Sequence, residues 1–135
     1  MLPNSLGNLT LLKCLSLGGC TEIQELPGVE NFTSLEMLDV KGCKNLESIP
    51  ELGQLIKLQI LDVSGCSEIQ TLSGLENLNY LESFNVRGFQ KLQIIPGFGK
   101  LTKLPTLDVI GYNEIETMLS LQNLTSLEYF NVSRC

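Results

Sequence analysis

The sequence repeats itself every 23 residues, and this period limits the folds that the chain can adopt more than any other feature. From an anchor residue, each repeat reads apolar-x-x-Leu-x-x-apolar-x-apolar, and six copies keep one register without an insertion. The anchors are Leu9, Phe32, Leu55, Leu78, Leu101 and Leu124. A fixed period of about 20 to 50 residues is typical of solenoids, in which each repeat is one structural unit that stacks on its neighbours.

The residues that follow the second leucine of each repeat predict a short β-strand. Leu38 and Val40 alternate with Met37 and Asp39, and a period of two is typical of a strand with one buried face. A glycine then recurs once per repeat, at Gly19, Gly42, Gly65, Gly88 and Gly111. Because glycine tolerates backbone angles that other residues avoid, this column predicts a tight turn after each strand.

The stretch from each turn to the next anchor is too short for a full helix. Proline closes it in several repeats, at Pro3, Pro27, Pro50 and Pro96, and proline blocks helix propagation. One such coil cannot bury its own apolar face, whereas stacked coils share a continuous inner column of leucines. We therefore predict that residues 1–135 form one α/β solenoid. It would be a right-handed superhelix with about six parallel strands on its concave side and an irregular convex side.

The motif of residues 32–50, FTSLEMLDVKGCKNLESIP, resembles the leucine-rich repeat. More narrowly, strands that end in Gly-Cys and coils that close with Leu-Pro or Ile-Pro resemble the repeats of plant intracellular nucleotide-binding immune receptors, especially those with a TIR domain. Phe89 and Tyr112 depart from the Cys column, and Ser73 and Leu119 depart from the Pro column. The resemblance implies a module that recognises a pathogen effector, a guarded host protein or another domain of the same receptor.

Two other protein classes carry similar repeats: cytosolic signalling scaffolds and the ectodomains of receptor kinases. The sequence contains no G-x-x-x-x-G-K-[ST] motif, so the switch chemistry of a receptor would lie outside these residues. N-x-S/T sequons, which would suit an ectodomain, occur at Asn8, Asn31, Asn123 and Asn131. Three of them fall at one repeat position, where the repeat itself produces the pattern, and we interpret them as unused.

A second, longer period of 46 residues, twice the first, is also present. Residues 20–31 (CTEIQELPGVEN) match residues 66–77 (CSEIQTLSGLEN) at 8 of 12 positions, but they match residues 43–54 (CKNLESIPELGQ) at only 2 of 12. We infer the duplication of a two-coil unit, and we expect the chemistry of the convex side to alternate from coil to coil.

Neither end of the sequence carries the polar cap that a solenoid needs to cover its terminal coil. Leu2-Pro3 resembles the end of a preceding coil, and Cys135 lies in the turn column. We therefore expect the chain to be a segment of a longer array, with self-association through its uncapped ends.

The charge balance limits the kinds of partner that the chain can bind. Asp and Glu number 15 against 9 Lys and Arg, giving a formal net charge of -6, and His is absent. Nucleic acids and anionic membranes need a basic surface, and His-based catalytic or metal sites are excluded. We therefore expect a protein partner, no nucleic acid, no membrane, no cofactor, no metal ion and no enzymatic activity.

The cysteines of the turn column are interpreted as buried apolar residues rather than as a reactive site. Cys20, Cys43 and Cys66 recur once per coil, and Phe89 and Tyr112 replace Cys in the same column. Free Cys commonly behaves as a small buried hydrophobe. Unpaired thiols suit a reducing compartment, which favours a cytoplasmic location.

The concave strand face is the candidate binding surface, because the side chains between the core positions must point there. The candidate contact residues are Asp39, Lys41, Asp62, Ser64, Asn85, Arg87, Asp108, Tyr129 and Asn131. The row of acids predicts a preference for a basic or hydrogen-bonding partner, although Lys41 and Arg87 counter it. Asp39 and Asp62 would lie side by side, which leaves an acid–base pair as a further alternative, but an open sheet offers no water-excluded pocket.

Overall fold

The computed structural model describes residues 2–89, 91, 95–110 and 121–132 of the 135-residue chain. Within these ranges, six short strands form one parallel sheet in chain order. They are β1 (Cys14–Ser16), β2 (Met37–Asp39), β3 (Ile60–Asp62), β4 (Ser83–Asn85), β5 (Thr106–Asp108) and β6 (Tyr129–Asn131). Every residue of β1 to β5 pairs with the residue 23 positions later, as Leu15 does with Leu38 and Leu38 with Leu61. The predicted solenoid is confirmed.

The other side of each coil is irregular and is built from short 3-10 helices, as the brief return of the chain predicts. They span Asn4–Asn8, Val29–Asn31, Leu52–Gln54, Leu75–Asn77 and Phe98–Lys100. Each is followed by an anchor residue whose backbone N–H donates to a carbonyl oxygen three residues earlier in the helix, for example Phe32 N to Val29 O at 3.0 Å. No α-helix occurs within the described ranges.

The core is a stack of equivalent apolar residues, one set per coil. Leu38, Leu61 and Phe84 are fully buried inner residues of neighbouring strands. The anchors Phe32 and Leu55 are fully buried as well. Burying a side chain of this size contributes about 1.5–3 kcal/mol, so the stacking of coils stabilises the fold in the way that the repeat predicts.

The turns after β1 to β4 use the predicted glycine in a left-handed conformation. Gly42 and Gly65 have φ angles of 73° and 74°. Their backbone N–H groups donate to the next coil, from Gly42 N to Ser64 O and from Gly65 N to Arg87 O, both at 2.7 Å. The turns therefore continue the hydrogen-bond ladder beyond the strands. Gly111 lies outside the described residues.

The 46-residue period has a structural counterpart in two close backbone contacts between neighbouring coils. A Cβ atom on Gly28 would lie 2.7 Å from the Cα of Gly7, and a Cβ atom on Gly74 would overlap the backbone of Gly53. The second pair lies 46 residues after the first. At the intervening coil, Glu51 occupies the equivalent position with a φ of -53°. The close contact between glycines therefore occurs at two coil boundaries that lie 46 residues apart, in agreement with a two-coil unit. Gly97, at the next equivalent position, also has a positive φ of 78°, and a Cβ atom there would lie 2.9 Å from Glu76 N, so the alternation does not continue at that coil.

Pro105 weakens the hydrogen-bond ladder between β4 and β5. At the first step of the sheet, Lys13 O accepts hydrogen bonds from Glu36 N at 2.7 Å and Met37 N at 3.0 Å. Pro105 has no N–H to donate. Within the described ranges, Glu82 O receives neither of the two corresponding bonds from Pro105 and Thr106.

Candidate functional site

The concave surface of the sheet presents three parallel columns of side chains, which we call the first, central and third columns. The first column contains Cys14, Met37, Ile60, Ser83, Thr106 and Tyr129. The central column contains Ser16, Asp39, Asp62, Asn85, Asp108 and Asn131. The third column, two residues further along each coil, contains Gly18, Lys41, Ser64, Arg87 and Ile110. All nine predicted contact residues lie on this surface, and their role in contact stays a prediction.

The central column stabilises the turns that follow the strands. Asp39 Oδ1 accepts a hydrogen bond from Lys41 N at 3.0 Å, and Asp62 Oδ1 accepts one from Ser64 N at 2.9 Å. The same contact recurs in the next two coils, where Asn85 Oδ1 accepts from Arg87 N and Asp108 Oδ1 accepts from Ile110 N. A side chain that accepts from the backbone two residues later is the Asx turn, which Asp and Asn favour. The recurrence of Asp and Asn therefore has a structural reason.

The second carboxylate oxygens of the central column bond sideways to the neighbouring coil. Asp39 Oδ2 accepts from Ser16 Oγ at 3.1 Å, and Asp62 Oδ2 accepts from Asn85 Nδ2 at 3.3 Å. Asp39 and Asp62 are register partners on β2 and β3, but each carboxylate bonds to its own pair of donors. This arrangement favours a structural role for both groups over the acid–base alternative.

The third column differs from the sequence prediction at Ser64. Lys41 and Arg87 are exposed, as expected for contact residues, whereas Ser64 is only 5% exposed. The Ser64 Oγ atom is buried and makes no hydrogen bond. Its burial depends on the neighbouring coils, and the only sequence signal for it is a small residue between two long ones.

A recess of about 310 Å³ opens at this place, beside the ends of the central strands. Its lining residues are Lys41, Gly42, Ser64, Gly65, Asn85, Arg87 and Gly88. Four of the predicted contact residues thus meet around one depression. The repeat pattern predicts that they share one face, but it does not predict the recess.

The first column is the apolar side of the concave surface. Cys14 is exposed, Ile60 is 41% exposed and Tyr129 is 53% exposed. Exposed tyrosine is common in protein interfaces, because it offers both apolar area and a hydroxyl. Tyr129 OH also accepts a hydrogen bond from Asn131 Nδ2 at 3.4 Å. The concave surface therefore combines an apolar margin with a polar centre.

Cys43 and Cys66 of the turn column are buried free thiols, as predicted, whereas Cys20 is only partly buried. The thiol of Cys43 donates to Leu17 O at 3.2 Å, and that of Cys66 donates to Val40 O at 3.1 Å. Burial raises the pKa of the Cys43 thiol and raises the pKa of the Cys66 thiol to about 12. Phe89 fills the same column at 1% exposure, while Tyr112 and Cys135 lie outside the described residues.

The part of the chain that the structure describes lacks two further kinds of site. No three or more His, Cys, Asp or Glu side chains come together there in a way that could hold a metal ion. None of the helices found there has the length and apolar character needed to cross a bilayer.

Short stretches of the chain are similar to two Arabidopsis thaliana proteins. The chain is 44% identical over 50 residues to the protein At4g19050, which amounts to 37% of this chain and 4% of that protein. It is 41% identical over 49 residues to the disease resistance protein RPP5, which amounts to 36% of this chain and 3% of that protein. The chain therefore spans a small fraction of the length of these relatives.

Solved structures and a family model agree on the fold. An internalin from Listeria monocytogenes superposes with a TM-score of 0.62 and 21% sequence identity, covering 97% of this chain and 44% of the internalin. The family model for the leucine-rich repeat region matches residues 1–135. With its in-register parallel sheet and its stacked leucines, the chain belongs to the leucine-rich repeat family.

Proposed function

We propose that the chain is the partner-recognition part of a plant intracellular disease resistance receptor. The observation that carries this proposal is the concave sheet, on which six in-register strands present a continuous row of polar and apolar side chains. Curved solenoids bind proteins through extended concave surfaces of this kind. The similarity to the disease resistance protein RPP5 supports the receptor context.

The partner would be a pathogen effector, a guarded host protein or another domain of the same receptor. Affinity would come from many modest contacts along the concave surface, because its central carboxylates already serve the turns. Exposed Ile60 and Tyr129 would supply apolar contact, and Lys41 and Arg87 would supply charge. The repeats would have no catalytic role in this function.

We place the protein in the cytoplasm. The supporting observation is the column of buried, free thiols that includes Cys43 and Cys66. A receptor-kinase ectodomain would instead carry N-glycans, and the sequon residues Asn8 and Asn31 are exposed enough to accept them. Digestion of the endogenous protein with peptide N-glycosidase A, which also cleaves plant glycans with a core α1,3-fucose, should leave its mass unchanged, and a fall in mass would favour the ectodomain.

Site-specific photo-crosslinking in plant cells tests the recognition surface. The benzophenone amino acid p-benzoylphenylalanine is placed at Ile60, on the sheet, or at Ile56, which is 52% exposed but outside it. We expect a discrete adduct from Ile60 that unlabelled chain displaces, and none from Ile56. Equal labelling from both positions, or none from either, would contradict recognition through the concave surface.

A further inference from the structure

The recess of the concave surface is lined by two cationic side chains, those of Lys41 and Arg87. We propose that it binds a carboxylate from an acidic segment of a protein partner, held between Lys41 and Arg87 over Ser64. This inference rests on the proposed function and deepens it. It also reverses the preference for a basic partner that the row of acids suggested.

The cationic groups of the recess are not committed to other contacts. Within the described ranges, the ion pairs are Lys13–Glu36 and Lys91–Glu68, and neither Lys41 nor Arg87 takes part in one. Their coils are two steps apart, which separates their backbones by about 10 Å. Two long side chains at that spacing can close on one carboxylate, and the guanidinium of Arg87 can do so with two parallel hydrogen bonds.

The nearby acids, in contrast, are already bonded within the protein. Both oxygens of Asp39 and both oxygens of Asp62 accept hydrogen bonds from this chain's own donors. At long range, the negative charges of these two carboxylates offset the positive charges of Lys41 and Arg87. The recess therefore does not attract anions from a distance, and recognition there depends on short-range contact.

Ser64 supplies an independent observation that points to a ligand. It is 95% buried, lines the recess, and its hydroxyl has no hydrogen-bond partner. The structural role of this column does not require a hydroxyl, because Gly18 and Ile110 occupy equivalent positions in other coils. A carboxylate oxygen would accept the missing hydrogen bond once the long side chains of Lys41 and Arg87 turn outward and admit it to the Ser64 hydroxyl.

The donors of the recess suit a carboxylate better than a phosphate. The amides of Gly42 and Gly65 already donate to Ser64 O and Arg87 O, so the recess has no free backbone nest of the kind that commonly binds phosphate. The donors left are three side chains, and a carboxylate offers two oxygens to them.

The test is an NMR titration of the full 135-residue chain at constant ionic strength. The probes are acetyl-Gly-Glu-Gly-amide, the matching Gln peptide, and inorganic phosphate. The sequence has only two arginines, Arg87 and Arg134, so the Nε–H signal of Arg87 can be assigned with Arg87→Lys. We expect the Glu peptide to shift this signal and the Gly65 amide saturably, and the Gln peptide to leave both unchanged.

Variants then separate the recess from general charge effects. Lys41→Gln and Arg87→Gln should each weaken binding of the Glu peptide about threefold or more, and Ser64→Ala should weaken it about twofold. Lys57→Gln makes the same change in net charge at an exposed site outside the recess and should leave binding unchanged. Amide spectra of every variant verify that the fold is retained.

Each possible outcome bears on the proposal. Equal shifts from the Glu and Gln peptides, stronger binding of phosphate, or equal loss in Lys57→Gln would overturn it. The proposed function can fail separately: a partner that crosslinks at Ile60 but whose capture is unchanged by Arg87→Gln refutes the recess and leaves concave recognition intact. Binding of the Glu peptide without any crosslinked partner would support the recess and contradict recognition through the concave surface.

Discussion

Ser64 is the residue whose environment departs furthest from that of its column. A buried hydroxyl without a hydrogen bond keeps its desolvation cost of about 1–3 kcal/mol uncompensated. We therefore expect Ser64→Ala to leave the free energy of unfolding unchanged or to raise it by about 1 kcal/mol, as measured by urea denaturation. Ser16→Ala is the control, because Ser16 donates an exposed hydrogen bond to Asp39, and its loss should cost about 0.5 kcal/mol. A loss of more than about 1 kcal/mol in Ser64→Ala would show that the hydroxyl has a partner.

The buried thiol of Cys66 makes stability depend on pH in the alkaline range. Desolvation raises its pKa to about 12, above the value of about 8.5 for an exposed thiol. The contribution of this thiol to the free energy of unfolding is fully present below the pKa of the unfolded chain. It is lost as pH rises toward the pKa of the folded chain, because the unfolded chain releases the proton first. We expect the fall in unfolding free energy above about pH 9 to be shallower in Cys66→Ala than in the parent chain. Identical slopes for the two proteins would contradict the assignment.

The coil-to-coil contact of glycines is a property of the turn elements rather than of single residues. Gly74 has a φ of 86° and approaches the backbone of Gly53, whereas Gly19 has a φ of 77° and an added Cβ there would meet nothing within 4 Å. Both Gly→Ala substitutions carry the left-handed backbone cost of about 1–2 kcal/mol, and Gly74→Ala adds a steric overlap. We expect Gly74→Ala to destabilise the fold by at least about 1 kcal/mol more than Gly19→Ala, in thermal or urea unfolding. Equal losses of stability in the two variants would mean that the neighbouring coil moves away from the added methyl group without cost.

The strands and turns were predictable because they depend on the local sequence pattern. The recess was not predictable, since it depends on contacts between coils. The register of Leu38 with Leu61 follows from the 23-residue period alone, and the interruption at Pro105 follows from its missing N–H. The Asx turns at Asp39 and Asp62 were also readable in principle, since each joins a residue to a backbone amide two positions later. The burial of Ser64, in contrast, depends on the side chains of coils that lie 23 residues before and after it.

For the whole molecule, the linear order of the coils decides how stability is distributed. Each strand contacts only its neighbours in the sheet order, and such arrays behave as a chain of nearest-neighbour interactions. β3 has a partner strand on both sides, while β6 pairs with β5 alone among the described strands. Phe130 on β6 is 39% exposed, although its register equivalents Leu61 and Phe84 are fully buried. Local opening should therefore be easier around β6 than around β3.

Hydrogen exchange at two equivalent amides measures this difference. Ile60 N donates to Glu36 O at 3.0 Å, and Tyr129 N donates to Pro105 O at 2.9 Å, so the two bonds match in position and length. Because opening free energies range from near zero at weakly packed edges to the global value in the core, we expect the Ile60 amide to exchange at least about tenfold more slowly than the Tyr129 amide. Leu61→Ala should then speed exchange at both amides if the coils unfold together, but at Ile60 alone if β6 opens independently. Equal protection in the parent chain would mean that the array unfolds as one cooperative unit and that the exposure of Phe130 has no energetic consequence.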